Sequence, residues 1–178
     1  LSFIQQWTNW GFLSVLIFVL IGTLLTIILQ SSSATMALTL VMASQGWIPF
    51  EMAAAMVLGE NIGTTITANI AASVGNISAR RAALAHTFFN VFGVIWVLIL
   101  YRPFLLLISK IVVSFGGQDP FVSSESLLYA VSTLHTLFNV INTLILVWFT
   151  PQIVKLVSMA IKSKNEEEVF RLKYIQSG

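Results

Sequence analysis

Residues 30–35 read Gln30-Ser31-Ser32-Ser33-Ala34-Thr35, a run of hydrogen-bonding side chains between two apolar half-segments. Gly11 to Leu29 carries no charge, and Met36 to Met42 is apolar again. A polar group facing lipid without a partner costs several kcal/mol. The run therefore reads as a break in a membrane helix, facing a solute. A broken helix offers two kinds of ligand. The new N-terminus presents free N–H groups and a positive dipole end, which suit an anion. The new C-terminus presents free carbonyls, which suit Na⁺. Ser31, Ser32, Ser33 and Thr35 add hydroxyls that turn to serve either ion, and Gln30 adds one acceptor and two donors.

A second candidate break follows at Gly59-Glu60-Asn61-Ile62-Gly63-Thr64-Thr65. Here Asn61, Thr64 and Thr65 supply polar groups, and Gly59 and Gly63 permit unusual backbone angles. Neither cluster contains arginine. An oxyanion held only by hydroxyls and N–H groups needs cations to balance it, a physical route to ion-coupled uptake. Glu60 is the outlier, because a carboxylate at membrane depth is costly and usually functional. It is a Na⁺ ligand, a proton carrier or a group at the mouth of a cavity. The competing reading is packing, since Ser, Thr and Gly let membrane helices approach closely. Thr23 and Thr26 are assigned to packing, and Thr67 and Asn69 suit either role. Three serines after Gln30, coupled to the second cluster, favour a site.

The elements that must position these residues follow from composition. The chain has 178 residues, 57% hydrophobic and only 9% charged, with mean hydropathy +0.89. Soluble domains carry about 25% charged residues, so this is an all-α integral membrane protein with re-entrant or broken helices. No cysteine is present, so disulfides drop out. The formal charge of +2 and the lack of a basic stripe exclude nucleic acid as a partner. No cysteine or carboxylate spacing supports a transition metal.

Residues 1–10, with Trp7 and Trp10, form an interfacial segment. Residues 11–154 form the membrane unit. Gly11–Leu29 is long enough to cross or nearly cross, whereas Ala34–Ala43 is too short to span alone. The two are either a hairpin dipping into the membrane or one long helix unwound at Gln30–Ser33. Phe50–Val74, Ala82–Leu100 and Leu127–Phe149 follow, and Pro151 comes after the last. Phe104–Phe115 lies along the interface or spans steeply. The charged tail, 155–178, holds Lys155, Lys162, Lys164, Arg171 and Lys173, which place it in the cytoplasm. Arg80 and Arg81 share that side if Phe104–Phe115 is interfacial.

One pattern occurs twice: His86-Thr87-Phe88-Phe89-Asn90 and His135-Thr136-Leu137-Phe138-Asn139. In each, His and Asn share a helix face. The match records internal symmetry or common packing chemistry. Both histidines are read as packing residues.

Gln30-Ser31-Ser32-Ser33-Ala34 resembles the QSSS signature of the type II sodium/phosphate cotransporters and their bacterial relatives. Gly59 to Thr65 is similar to the accompanying GxNIGTT motif. Arg80-Arg81-Ala82-Ala83-Leu84-Ala85-His86 and the two His–Asn patterns resemble segments after the family's second repeat. The resemblance implies sodium-driven transport of inorganic phosphate by a fold of two inverted repeats, each with a re-entrant hairpin. It implies phosphate binding by Gln30, Ser31, Ser32, Ser33, Asn61, Thr64 and Thr65. Sodium falls to Gln30, Ser32, Ser33, Thr35, Glu60, Asn61 and Thr64. With one QSSS, the chain is expected to be one half of an inverted-repeat transporter, completed by a missing first repeat or an inverted second copy. Phe170-Arg171-Leu172-Lys173-Tyr174-Ile175 resembles the junction to a cytoplasmic helical domain. Glu60 departs from the small residue common there.

The rival reading is a membrane scaffold or regulatory subunit in phosphate sensing, working through the tail. A serine hydrolase is disfavoured, since neither histidine is placed to activate Ser31–Ser33 and no Gly-x-Ser-x-Gly elbow exists.

Overall fold

The computed structural model describes residues 11–162. The interfacial segment expected at 1–10, and the tail junction from 163 onward, lie outside these residues. Within them the regular elements are helical: α1 (Phe12–Leu29), α2 (Ser32–Ser44), α3 (Phe50–Ala72), α4 (Ile77–Ile99), α5 (Tyr101–Ser114), α6 (Leu127–Leu146) and α7 (Thr150–Ala160). Short 3₁₀ turns, Ser124–Ser126 and Val147–Phe149, precede and follow α6.

The two expected breaks part company. At the first, α1 stops because Gln30 takes left-handed backbone angles (φ 51°, ψ 28°) and Ser31 is extended. Thr26 and Thr35 then meet, Oγ1 to Oγ1, at 3.2 Å. In a continuous helix their nine-residue separation would span about 13 Å. The chain therefore reverses, and the hairpin alternative holds over the unwound long helix. The break is also narrower than Gln30–Ser33, because Ser32 and Ser33 already belong to α2.

The second break does not exist. α3 runs without interruption through Gly59–Thr65. Gly59 and Gly63 do not adopt left-handed angles; they let helices touch. A Cβ on Gly59 would lie 2.0 Å from the Val19 carbonyl oxygen, and one on Gly22 would lie 2.1 Å from that of Met56. Thr23 Oγ1 reaches across this seam to the Gly59 carbonyl at 3.0 Å. The threonine is thus a packing residue, as its setting beside Gly22 suggested.

Pairings along the helices set the topology. α1 and α3 run parallel, with Val19 against Gly59 and Thr26 against Gly63. α4 runs back along α3. Asn69 meets Thr87 near one end, and the Tyr101 hydroxyl donates to the Glu51 carbonyl near the other. α6 is antiparallel to α4, with Asn142 Nδ2 on the Phe89 carbonyl (2.9 Å) and Phe138 against Gly93. α3 is the axis of the bundle: Ala53 to Glu60 is buried all round. That explains how a segment this polar resides among membrane helices.

Three helical stretches are long and apolar enough to cross a membrane: Phe12–Leu29, Ile77–Ile99 and Ser124–Ala160. Their outward faces suit lipid. On α1, Leu13, Leu16, Leu20, Leu24 and Ile28 are all exposed. At 14 residues α5 is about 21 Å long, short of a ~30 Å hydrocarbon core. It starts beside Glu51, and the loop after it returns Phe121 to the Phe50 ring at 5.2 Å. α5 thus runs across one end of the bundle, burying Tyr101, Phe104, Leu105, Ile108 and Val112.

Pro151 follows the last long helix and its 3₁₀ turn. It sits in the first turn of α7, where a missing N–H is harmless. α7 then folds back, and Arg81 Nε donates to the Ile161 carbonyl at 3.0 Å. Arg80, Arg81 and Lys162 therefore lie at the same end of the bundle, opposite Glu51 and Tyr101.

Candidate functional site

The reversal at Gln30–Ser31 leaves the start of α2 partly exposed, with Ser32 half-buried and Ser33 exposed. Ser31 is the N-cap, its Oγ accepting from the Ala34 N–H at 3.2 Å. The N–H groups of Ser32 and Ser33, at the start of the first turn, have no carbonyl four residues back within the helix. Ser32 and Ser33 open on a cavity of about 420 Å³. Met36, Ala37 and Leu40 extend that wall down α2. Opposite, α3 contributes Glu60, Asn61 and Thr64, α4 contributes His86, Phe89 and Asn90, and α6 contributes His135 and Asn139.

Each polar group is oriented by its own helix. Asn61 Nδ2 donates to the Val57 carbonyl (2.8 Å) and Thr64 Oγ1 to the Glu60 carbonyl (2.8 Å). Asn90 and Asn139 do the same to His86 (3.0 Å) and His135 (2.8 Å). Each of these amides retains a second N–H and its oxygen for the cavity. Among the described residues, neither Lys nor Arg borders the space. The α2 N-terminus contributes a positive dipole end to this wall.

Five expected site residues therefore converge: Ser32, Ser33, Glu60, Asn61 and Thr64. Four do not reach the cavity. Gln30 is exposed at the hairpin tip, and Ser31 is used as a cap. Thr35 is buried between Thr26 and the Ser31 carbonyl. Thr65 is buried with its hydroxyl on the Ile62 carbonyl. Asn69 is a strut, bonded to Thr87 and to the Ala83 carbonyl.

The histidines run against expectation. Read as packing residues, His86 and His135 instead border the cavity with their asparagines. The signal was present in the repeated His-x-x-x-Asn spacing. Because α4 and α6 are antiparallel, the two copies face the same space in opposite senses, with the asparagines between the histidines along the wall. What sequence could not show was that both polar faces turn inward together.

Comparison with known proteins fits this geometry. The pattern of the Na⁺/Pi-cotransporter family matches residues 2–117. A Bacillus subtilis protein, YqeW, described as uncharacterized, is 34% identical over 157 residues, which is 88% of this chain and 45% of that protein. An Escherichia coli protein named as a putative inorganic phosphate exporter, YjbB, is 28% identical over 85% of this chain and 26% of its own length. The mouse sodium-dependent phosphate transport protein 2C is 42% identical over 94 residues, covering 50% of this chain and 16% of that protein. The chain thus spans less than half the length of these relatives. No solved structure matches it. The chain belongs to the Na⁺/Pi-cotransporter family.

Proposed function

We propose that the complete protein carries inorganic phosphate across the cell membrane, driven by sodium. The observation that bears this reading is the α2 N-terminus opening, through Ser32 and Ser33, on a cavity bordered by Asn61, Thr64, Asn90 and Asn139 and, among the described residues, by no Lys or Arg. Phosphate is held there by the N–H groups and hydroxyls of Ser32 and Ser33, with Asn61 and Thr64 completing the donors. Sodium, bound through the oxygens of the same cluster, supplies the charge that the wall lacks. Gln30, Ser31, Thr35 and Thr65 then act indirectly, by holding the turn and the helices that present it. Ser33 and His86 are exposed, so the cavity is open. A further part of the complete protein, either a first repeat or an inverted second copy, closes it. The end bearing Arg80, Arg81 and Lys162 faces the cytoplasm.

The reading agrees with the names of the relatives, one sodium-dependent and one an exporter. Direction is set by the gradients, so the test imposes them. The complete protein in proteoliposomes takes up ³²P-phosphate faster with an inward sodium gradient than without one. Ser32→Ala or Asn61→Ala lowers uptake about tenfold, the cost of one hydrogen bond to a charged ligand. Uptake indifferent to sodium removes the coupling. Normal kinetics in both variants discard the site.

A further inference from the structure

Glu60 is 2% exposed, yet it borders the cavity. Its Oε1 accepts the Thr39 hydroxyl at 2.8 Å. Thr39 also lies 3.0 Å from the Thr35 carbonyl, and Thr35 lies 3.1 Å from the Ser31 carbonyl. Thr35 and Thr39 are thus each anchored to a carbonyl of α2's own first turns, and Thr39 alone reaches the carboxylate. The second carboxylate oxygen is left to the cavity. A carboxylate so placed requires a positive partner, and among the described residues no Lys or Arg borders the space.

Sodium fits this partner poorly. It needs a shell of oxygens, and a helix break would have supplied free carbonyls. α3 is unbroken at Glu60, so its carbonyls are spent within the helix. Beyond the Thr39 hydroxyl, the facing turns of α2 offer only Met36 and Leu40. A proton needs one oxygen only.

We propose that Glu60 is a proton-carrying group, so that phosphate movement through this protein is linked to protons. This rests on the transport reading above. A lone pair of the free carboxylate oxygen forms an O–H bond with a proton delivered by water from one side. The bond breaks to return the proton to water on the other. Protonation removes a negative charge from a cavity that takes an anion, so proton and phosphate favour each other's binding. The other titratable groups facing this space are His86 from α4 and His135 from α6; α1 and α2 contribute none.

The test uses the complete protein in proteoliposomes loaded with a pH-sensitive dye, with sodium equal on both sides. ³²P-phosphate and proton entry are measured together, and phosphate–phosphate exchange separately. The wild type takes up phosphate several-fold faster with acid outside, and protons enter with it. In Glu60→Gln the acid response and the proton-to-phosphate ratio fall, and exchange, which needs no net proton, reads whether phosphate still binds. Glu60→Asp retains the proton link. A wild-type ratio in Glu60→Gln overturns the proposal. So does loss of exchange in that variant, which would make the carboxylate an ion ligand. Loss of the acid response in His86→Gln or His135→Gln, with retention in Glu60→Gln, assigns the proton to the imidazoles instead. A wild type that moves no phosphate under any gradient sinks the transport reading itself.

Discussion

The Gln30–Ser31 turn and the Gly59–Thr65 segment carry similar residues in opposite backbones. Both interrupt an apolar stretch with small and hydroxyl side chains. The first reverses the chain; the second is regular helix at the centre of the bundle. The difference lies in spacing and caps. Ser31 can cap a new helix, and Gln30, unbranched at Cβ, tolerates a left-handed φ. Gly59 and Gly63 are four apart and share one face, which is the spacing of close helix approach. The pair divides the labour of the site: the turn supplies free N–H groups, and the seam holds Glu60, Asn61 and Thr64 rigidly opposite them.

The strongest way to break this contrast is to give the seam a side chain. In Gly59→Ala the new Cβ lands 2.0 Å from a backbone oxygen, which cannot move aside as a side chain would. The expected loss is about 3 kcal/mol, the upper end for overpacking. It is read as a lowered unfolding midpoint in detergent. Were Gly59 a flexible hinge instead, alanine would cost under ~1 kcal/mol.

The turn responds differently. Gln30→Val places a β-branched residue at φ 51° and costs about 1–2 kcal/mol. Gln30→Gly keeps or improves stability in the same unfolding measurement. Equal losses from both would mean that the Gln30 side chain, not its backbone, holds the turn. Ser31→Ala removes the cap on Ala34 and costs about 1 kcal/mol. Restoration by Ser31→Asp or Ser31→Asn confirms capping rather than ligand contact.

Much of this was legible in the sequence. The charge-free run ending at Leu29 gave α1, and the breakers Gly46 and Pro49 bounded α2. Ser32, Ser33, Glu60, Asn61 and Thr64 were readable as residues that share a cavity because polar side chains in apolar surroundings must face something. The continuity of α3 was not readable. Gly-rich polar sequence is compatible with a break or with a seam, and the choice depends on whether Gly22 on another helix lies opposite. Nor was the placement of His86 and His135, since period alone gives a helix face without saying what that face meets.

The smallest effect tests how the scaffold is tied beyond the seam. Asn69 Nδ2 lies 2.6 Å from Thr87 Oγ1 and also bonds carbonyls at Thr65 and Ala83. The strut joins α3 to α4 on the stretch leading to His86 and Asn90. Side-chain hydrogen bonds between membrane helices average about 0.6 kcal/mol in double-mutant cycles. Asn69→Ala and Thr87→Val should therefore couple by about that amount and no more, since each retains a bond to its own helix. A coupling above ~2 kcal/mol would exceed the largest such values. It would mean that α4 is held to α3 at this point, and that the histidine wall depends on the strut instead of on Gly93 and Asn142 across the α4–α6 contact.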